Sequence, residues 1–280
     1  MSVSLIDAHN HLHDARLTPH LERIAADCRA AGINTMVVNG TTEDDWERVA
    51  ETARRFDFVI PSFGLHPWRV SQCSSQWRNK LERHLARQPA AVGEIGLDRW
   101  IAEPNLPRQE EIFVTQMQIA ADRNLPVTIH CLKAWGRLLE LLQKTPIPRP
   151  GFLLHSYSGS AEMIPRFTDL GAYFSISGHF AHERKGRQRE VFQAVPADRL
   201  LVETDAPDML PPPGYLDHPL PAGDLNHPAN LTAVYRFATE LRRESFNSFA
   251  SAIATNFRRL FATVLPEDIS GRSDAQTPRS

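Results

Sequence analysis

Cysteine is scarce in this chain: Cys28, Cys73 and Cys131 are the three in 280 residues. They are too few and too widely spaced for a disulfide framework or a CxxC metal site, so a reducing compartment is the simpler reading. Neither sign of charge dominates, since 31 Lys and Arg stand against 33 Asp and Glu. There is accordingly no bulk basic field to draw in nucleic acid, and any such binding needs a local patch. No apolar run approaches the ~18 residues of a membrane span. The opening MSVSLIDAHNH lacks a positive segment followed by a long apolar stretch, so no secretory signal is expected and the cytoplasm is the default. No GxGxxG or GxxxxGK[ST] follows any strand-like run, which argues against an open dinucleotide-binding or P-loop sheet. The hydrophobic share, 42%, is that of an ordinary globular chain.

What is present is a rhythm. Short apolar runs recur in the order SLIDAH, NTMVVNG, FVIPSFG, AVGEIG, PVTIHC, GFLLHS, AYFSIS and RLLVETD. Several are continuous rather than alternating, as in a sheet covered on both faces. Amphipathic segments lie between them: 21–31, 44–55, 77–87, 109–124, 135–143, 161–170 and 187–195, with another at 228–242. Eight strands alternating with eight helices predict a closed (β/α)₈ TIM barrel over 1–264. The Pro- and Gly-rich stretch 208–228 is expected at the mouth, and 265–280 reads as a polar, disordered tail.

The chemistry sits at the ends of these runs. His9 and His11 are two apart, so on a strand both imidazoles point to one side. Glu94 lies in the fourth run, His130 ends the fifth, His155 ends the sixth and Asp205 ends the eighth. A parallel barrel delivers the C-terminal ends of its strands to one face, so these groups converge. Buried carboxylates cost several kcal/mol unless paired or metal-bound. Imidazole-rich sets suit Zn, Mn, Fe or Co, and four histidines with two carboxylates exceed the needs of one tetrahedral ion. Two divalent ions about 3.5–4 Å apart are the economical arrangement.

These residues sit in motifs that occur in order: DAHNHL, GLHPW, GEIGLD, TIHC, LHSYSG, SISG and ETDAP, then HPANL and TNFRRLF. The chain resembles the TatD family of metal-dependent deoxyribonucleases, amidohydrolase-like barrels, from about Ser4 to Phe261. The resemblance implies Glu94 as a bridging carboxylate between two metals, with His9, His11 and Asp205 on one and His130 and His155 on the other. It implies Asp205 as the residue that orients or deprotonates the attacking water. It implies a 3′→5′ exonuclease using Mg²⁺ or Mn²⁺, with Zn²⁺ also found, and a DNA or nucleotide-like phosphodiester as substrate. The same barrel would also serve an amide, ester or lactone hydrolase. A binding subunit of a larger complex is the reading from another class, disfavoured by the full ligand set.

Around that set, several residues carry two readings. Asp7 is either an acceptor for an imidazole N–H or a cap at the strand start. Asp98 is a partner of a ligand or a loop carboxylate. His66 ends the third run and is expected to touch substrate rather than metal. Arg184, Lys185 and Arg187, with Arg189, either form the local phosphate patch or a solvated helical turn. Trp68, Trp100, Trp135 and Phe180 are candidates for stacking a base, although Trp135 suits helix packing better. Two departures from the family pattern, CLKAWGRLLELL after His130 and His227 in NHPAN, are expected near the mouth, where they bear on substrate preference.

Overall fold

In the computed structural model, which describes residues 4–221 and 223–265, each apolar run forms a strand. They are β1 Leu5–Asn10, β2 Ile33–Asn39, β3 Val59–Phe63, β4 Ala91–Asp98, β5 Val127–Leu132, β6 Phe152–Leu154, β7 Ala172–Ile176 and β8 Leu200–Val202. All eight make one sheet in sequence order, and neighbours from β1 to β8 pair in parallel. Nearly every strand residue is buried, because the barrel interior covers one face and helices cover the other. The expected tail lies outside the described residues except for Leu265.

The seam between β8 and β1 closes differently from the other seven. Asp205 N donates to His9 O at 3.0 Å and His11 N donates to Ala206 O at 2.7 Å. Deeper in the seam, Asp7 accepts the Thr204 N–H at 3.0 Å and the Thr204 hydroxyl at 2.5 Å. The segment just past β8 is therefore laced to the end of β1, which sets Asp205 beside His9 and His11.

The outer layer comprises α1 Leu21–Ala30, α2 Trp46–Arg55, α3 Trp77–Arg87, α4 Leu106–Arg123, α5 Trp135–Leu142, α6 Ile164–Asp169, α7 Gly186–Ala194, α8 Leu231–Arg242 and α9 Phe246–Phe261. Most match the amphipathic segments to within a few residues. The α4 helix starts earlier than its apolar periodicity, at a cap: the Asn105 side chain accepts the Arg108 N–H, and Pro107 occupies the first turn. The α6 and α8 segments begin as 3₁₀ turns. The reading of eight helices misses α9, which packs on β1 and β8. Its buried Phe249, Ala250, Ile253, Ala254, Phe257, Leu260 and Phe261 have helical spacing, and Ser245 caps it by accepting the Ser248 N–H.

Candidate metal centre and active site

Glu94 stands in the middle of the strand ends, and its two carboxylate oxygens face different neighbours. Oε2 lies 3.6 Å from His9 Nε2 and 3.4 Å from His11 Nε2. Oε1 lies 2.9 Å from His155 Nε2, 3.1 Å from His130 Nδ1 and 3.3 Å from His66 Nε2. Asp205, one turn of chain past β8 and held in a left-handed backbone at φ 53°, brings Oδ1 to 3.1 Å from His9 and 3.4 Å from His11. The donors form three sets of mutually close atoms: His9, His11 and Asp205; His9, Glu94 and His155; His66, Glu94 and His130.

Outer hydrogen bonds decide which nitrogen faces inward. His11 Nδ1 lies 2.7 Å from Asn39 O, an acceptor only, so Nδ1 carries the proton and Nε2 presents its lone pair. His130 Nε2 meets Asp98 Oδ2 at 3.1 Å and leaves Nδ1 inward. The inward nitrogens then face one another, His9 to His11 at 3.3 Å and His130 to His155 at 3.2 Å. Atoms bound to one ion at about 2.0–2.2 Å sit roughly 3–3.5 Å apart, so the donor sets fit divalent metal. The electrostatics agree. Burial opposes charge throughout, yet the facing His155, His66 and His9 hold the Glu94 carboxyl well below its usual range. Burial likewise opposes the charge of Asp205, but the imidazoles of His11 and His9 hold its carboxyl low.

His66 differs. Its Nδ1 accepts the backbone N–H of Trp68 at 3.2 Å, so in the neutral ring Nε2 carries the proton and donates toward Glu94. Burial and the neighbouring His130 push it down to about 4, despite Glu94, which keeps the ring neutral near pH 7. Asp98 takes three donors: His130 Nε2, the Trp68 indole N–H at 2.6 Å and the Trp100 backbone N–H at 2.6 Å. Asp7 accepts no imidazole N–H; its oxygens hold Thr204, Asn10 and the His9 backbone, so its role is to close the seam.

Above these candidate metal ligands opens a cavity of about 520 Å³ whose wall includes His11, Glu94, His130, His155 and Asp205. Its cations are Arg16, Arg48 and Arg69 rather than Arg184, Lys185 and Arg187, none of which lies on the wall. That segment turns back on itself through Arg189, which donates to the carbonyls of Phe180 and His182. Arg16 is already paired with Asp14 and Asp208, tying the 208–228 loop to the mouth as expected. Among the described residues Arg48 and Arg69 have no ion pair.

Trp68 and Trp100 line the mouth. Phe180 is buried against Phe192, and Trp135 packs on Tyr157 and Phe167. His227 is likewise off the wall: buried, it caps a 3₁₀ turn by accepting the Ala229 N–H and faces Asp27 of α1. Of the CLKAW segment, Leu132 reaches the cavity. The sequence reading missed Glu203, fully buried, which accepts the Ser156 N–H and hydroxyl and sits 3.5 Å from His155 Nδ1. A carboxylate two residues before Asp205 in a buried run was the available signal.

A parallel barrel with imidazoles and carboxylates gathered at its strand ends is the architecture of a metal-dependent hydrolase. Residues 6–262 match the family described as TatD related DNase, and the chain belongs to that family. It is 31% identical to the metal-dependent hydrolase YjjV of Escherichia coli K12, across 93% of this chain and 99% of that one. It is 35% identical to the 3′-5′ ssDNA/RNA exonuclease TatD of the same organism, across 82% and 88%. The crystal structure of YjjV superposes with a TM-score of 0.85, covering 95% of this chain and all of that one. A TatD family hydrolase from Entamoeba histolytica, 17% identical, shares the fold at 0.82, across 93% and 99%. Among the described residues no helix is long and apolar enough to cross a membrane.

Proposed function

We propose that this chain is a phosphodiesterase acting on single-stranded nucleic acid, a 3′→5′ exonuclease that uses two divalent ions. The observation that carries the reading is Glu94, whose oxygens face two separate groups of imidazoles. His9, His11 and Asp205 would hold one ion and His130 and His155 the other, with Glu94 spanning both. When bound there, two divalent ions would supply an activated water and neutralise charge developing on the phosphoryl oxygens. Mn²⁺, Zn²⁺ and Mg²⁺ are the candidates, and the imidazole-rich donors favour the first two. The 3′-5′ ssDNA/RNA exonuclease TatD and the metal-dependent hydrolase YjjV support the substrate class and metal dependence respectively.

The chain's own residues do the rest. Asp205, whose Oδ1 faces His9 and His11 beside Glu94, is placed to orient the attacking water or take its proton. His66, neutral with Nε2–H aimed into the site beside Glu94, is placed to share that donor with a phosphoryl oxygen. Arg48 and Arg69 pair with phosphates flanking the scissile one. A cytoplasmic location belongs to this reading, supported by three free cysteines.

The test is an assay of a single-stranded oligonucleotide, a generic phosphodiester and a generic carboxylic ester with Mg²⁺, Mn²⁺ and Zn²⁺. Shortening of the oligonucleotide from its 3′ end is expected. Ester turnover with no phosphodiester cleavage would sink the reading in favour of a carbonyl-directed hydrolase.

A further inference from the structure

Large apolar side chains are almost all interior. Among the described residues three are exposed, and two of these, Trp68 at 52% and Trp100 at 67%, stand together on the cavity mouth. A single exposed indole needs no explanation, whereas a pair on the rim of a catalytic cavity does. Both are hung on one carboxylate. Asp98 Oδ2 accepts the indole N–H of Trp68, and Oδ1 accepts the backbone N–H of Trp100, each at 2.6 Å.

The ring of Trp68 is further fixed by edge contacts to His66, centroids 4.9 Å apart, and to His130 at 6.2 Å. One tryptophan is thus a preset surface directly beside the metal-ligand set. The other carries a cation, with Lys133 Nζ 5.4 Å from its ring centroid. Arg69 follows Trp68 on the same rim, and Arg48 shares the cavity wall. Aromatic faces and unpaired guanidinium groups in one mouth match the two halves of a nucleotide, a base with a π face and a phosphate.

We propose that Trp68 and Trp100 form a stacking platform that holds the base next to the scissile phosphodiester. The inference rests on the phosphodiesterase reading above and names the residues that hold the substrate's base. A base inside a duplex has its faces covered by neighbours, so such a platform meets only an unpaired one. A platform that reads the π face and no hydrogen-bonding edge tolerates all four bases. The platform therefore reads the presence of a base rather than its sequence.

The experiment compares two single-stranded oligonucleotides of equal length. One is unmodified, and the other carries tetrahydrofuran residues, which lack a base, at its last two 3′ positions. Both are offered with Mn²⁺ to the wild type, Trp100→Ala and Trp68→Phe. The wild type is expected to favour the base-bearing strand by about tenfold or more in kcat/KM, mainly through KM. That ratio falls toward one in Trp100→Ala. It is retained in part in Trp68→Phe, whose ring still offers a face and whose small change guards against a folding defect. Equal rates on the two strands in the wild type, or an unchanged ratio in Trp100→Ala, overturn the platform and leave the phosphodiesterase reading standing. Failure to cleave either strand overturns that reading first.

Discussion

His130 directs Nε2 at Asp98 Oδ2 across 3.1 Å, and that bond leaves Nδ1, 3.1 Å from Glu94, as its inward nitrogen. The tautomer of a candidate ligand is thus set by a carboxylate that touches no other imidazole. Removing the acceptor frees the ring to turn. Asp98→Ala is expected to weaken metal binding by about 10–100-fold while the chain stays folded. Calorimetric titration with Mn²⁺ checks this, and an unchanged dissociation constant contradicts it.

The cations of the cavity differ from those that the sequence pattern suggests. Arg48→Ala and Arg69→Ala are each expected to raise KM for single-stranded DNA and to flatten the salt dependence of kcat/KM by about one counterion. Arg184→Ala and Arg187→Ala stand off the wall and are expected to leave the slope alone. The reverse pattern would return the phosphate contact to the segment after β7.

Gly96 lies in β4 opposite His130 of β5, and both strands carry candidate ligands. Its φ is +150°, and a Cβ built there would meet His130 O at 1.9 Å. No flexible side chain can give way, because the clash is with backbone. Gly96→Ala should therefore destabilise the fold by about 3 kcal/mol. Denaturant unfolding measures it, and a loss below about 1 kcal/mol would contradict the close β4–β5 approach.

His227 makes stability pH-dependent away from the metal-ligand set. Burial and the nearby His218 push it down to about 4 from the ordinary 6.5, against the pull of Asp27. Its Nδ1 accepts the Ala229 N–H, so a second ring proton would face a donor. Between those two values the unfolded chain binds a proton that the folded chain does not. The contribution is therefore whole above pH 6.5 and is lost as pH falls toward 4. His227→Asn keeps an N-cap and removes the titration. Its melting temperature is expected to gain on the wild type steadily from pH 6.5 to 4; a constant difference would contradict this.

The strands were legible because a sheet covered on both faces must be apolar along its whole length, and the ligand types at their ends followed from barrel geometry. Helix α9 was equally legible in its Phe and Ala spacing but lay past the last expected strand. What local pattern does not carry is which loop residues face the cavity. Arg48 is on a helix and Arg69 in a turn, and both reach the wall only through the way β2 and β3 are followed. The basic run 184–189 looked better in sequence, yet Arg189 spends its donors on nearby carbonyls. His227 read as a mouth residue for want of knowing that its turn faces α1. Glu203 was hidden beside Asp205, since a carboxylate supporting a ligand is not distinguished by spacing.

On the proposed reading, Glu94 spans two ions that together cleave a phosphodiester. Metal-stripped protein titrated with Mn²⁺ while 3′-end shortening of a single-stranded oligonucleotide is followed tests it most directly, with Glu94→Gln in parallel. No cleavage is expected at the start, then a rise that levels off at two equivalents per chain, with fewer bound ions and little cleavage in Glu94→Gln. Cleavage that persists in excess chelator, or a Glu94→Gln protein with full activity and full metal content, would contradict it.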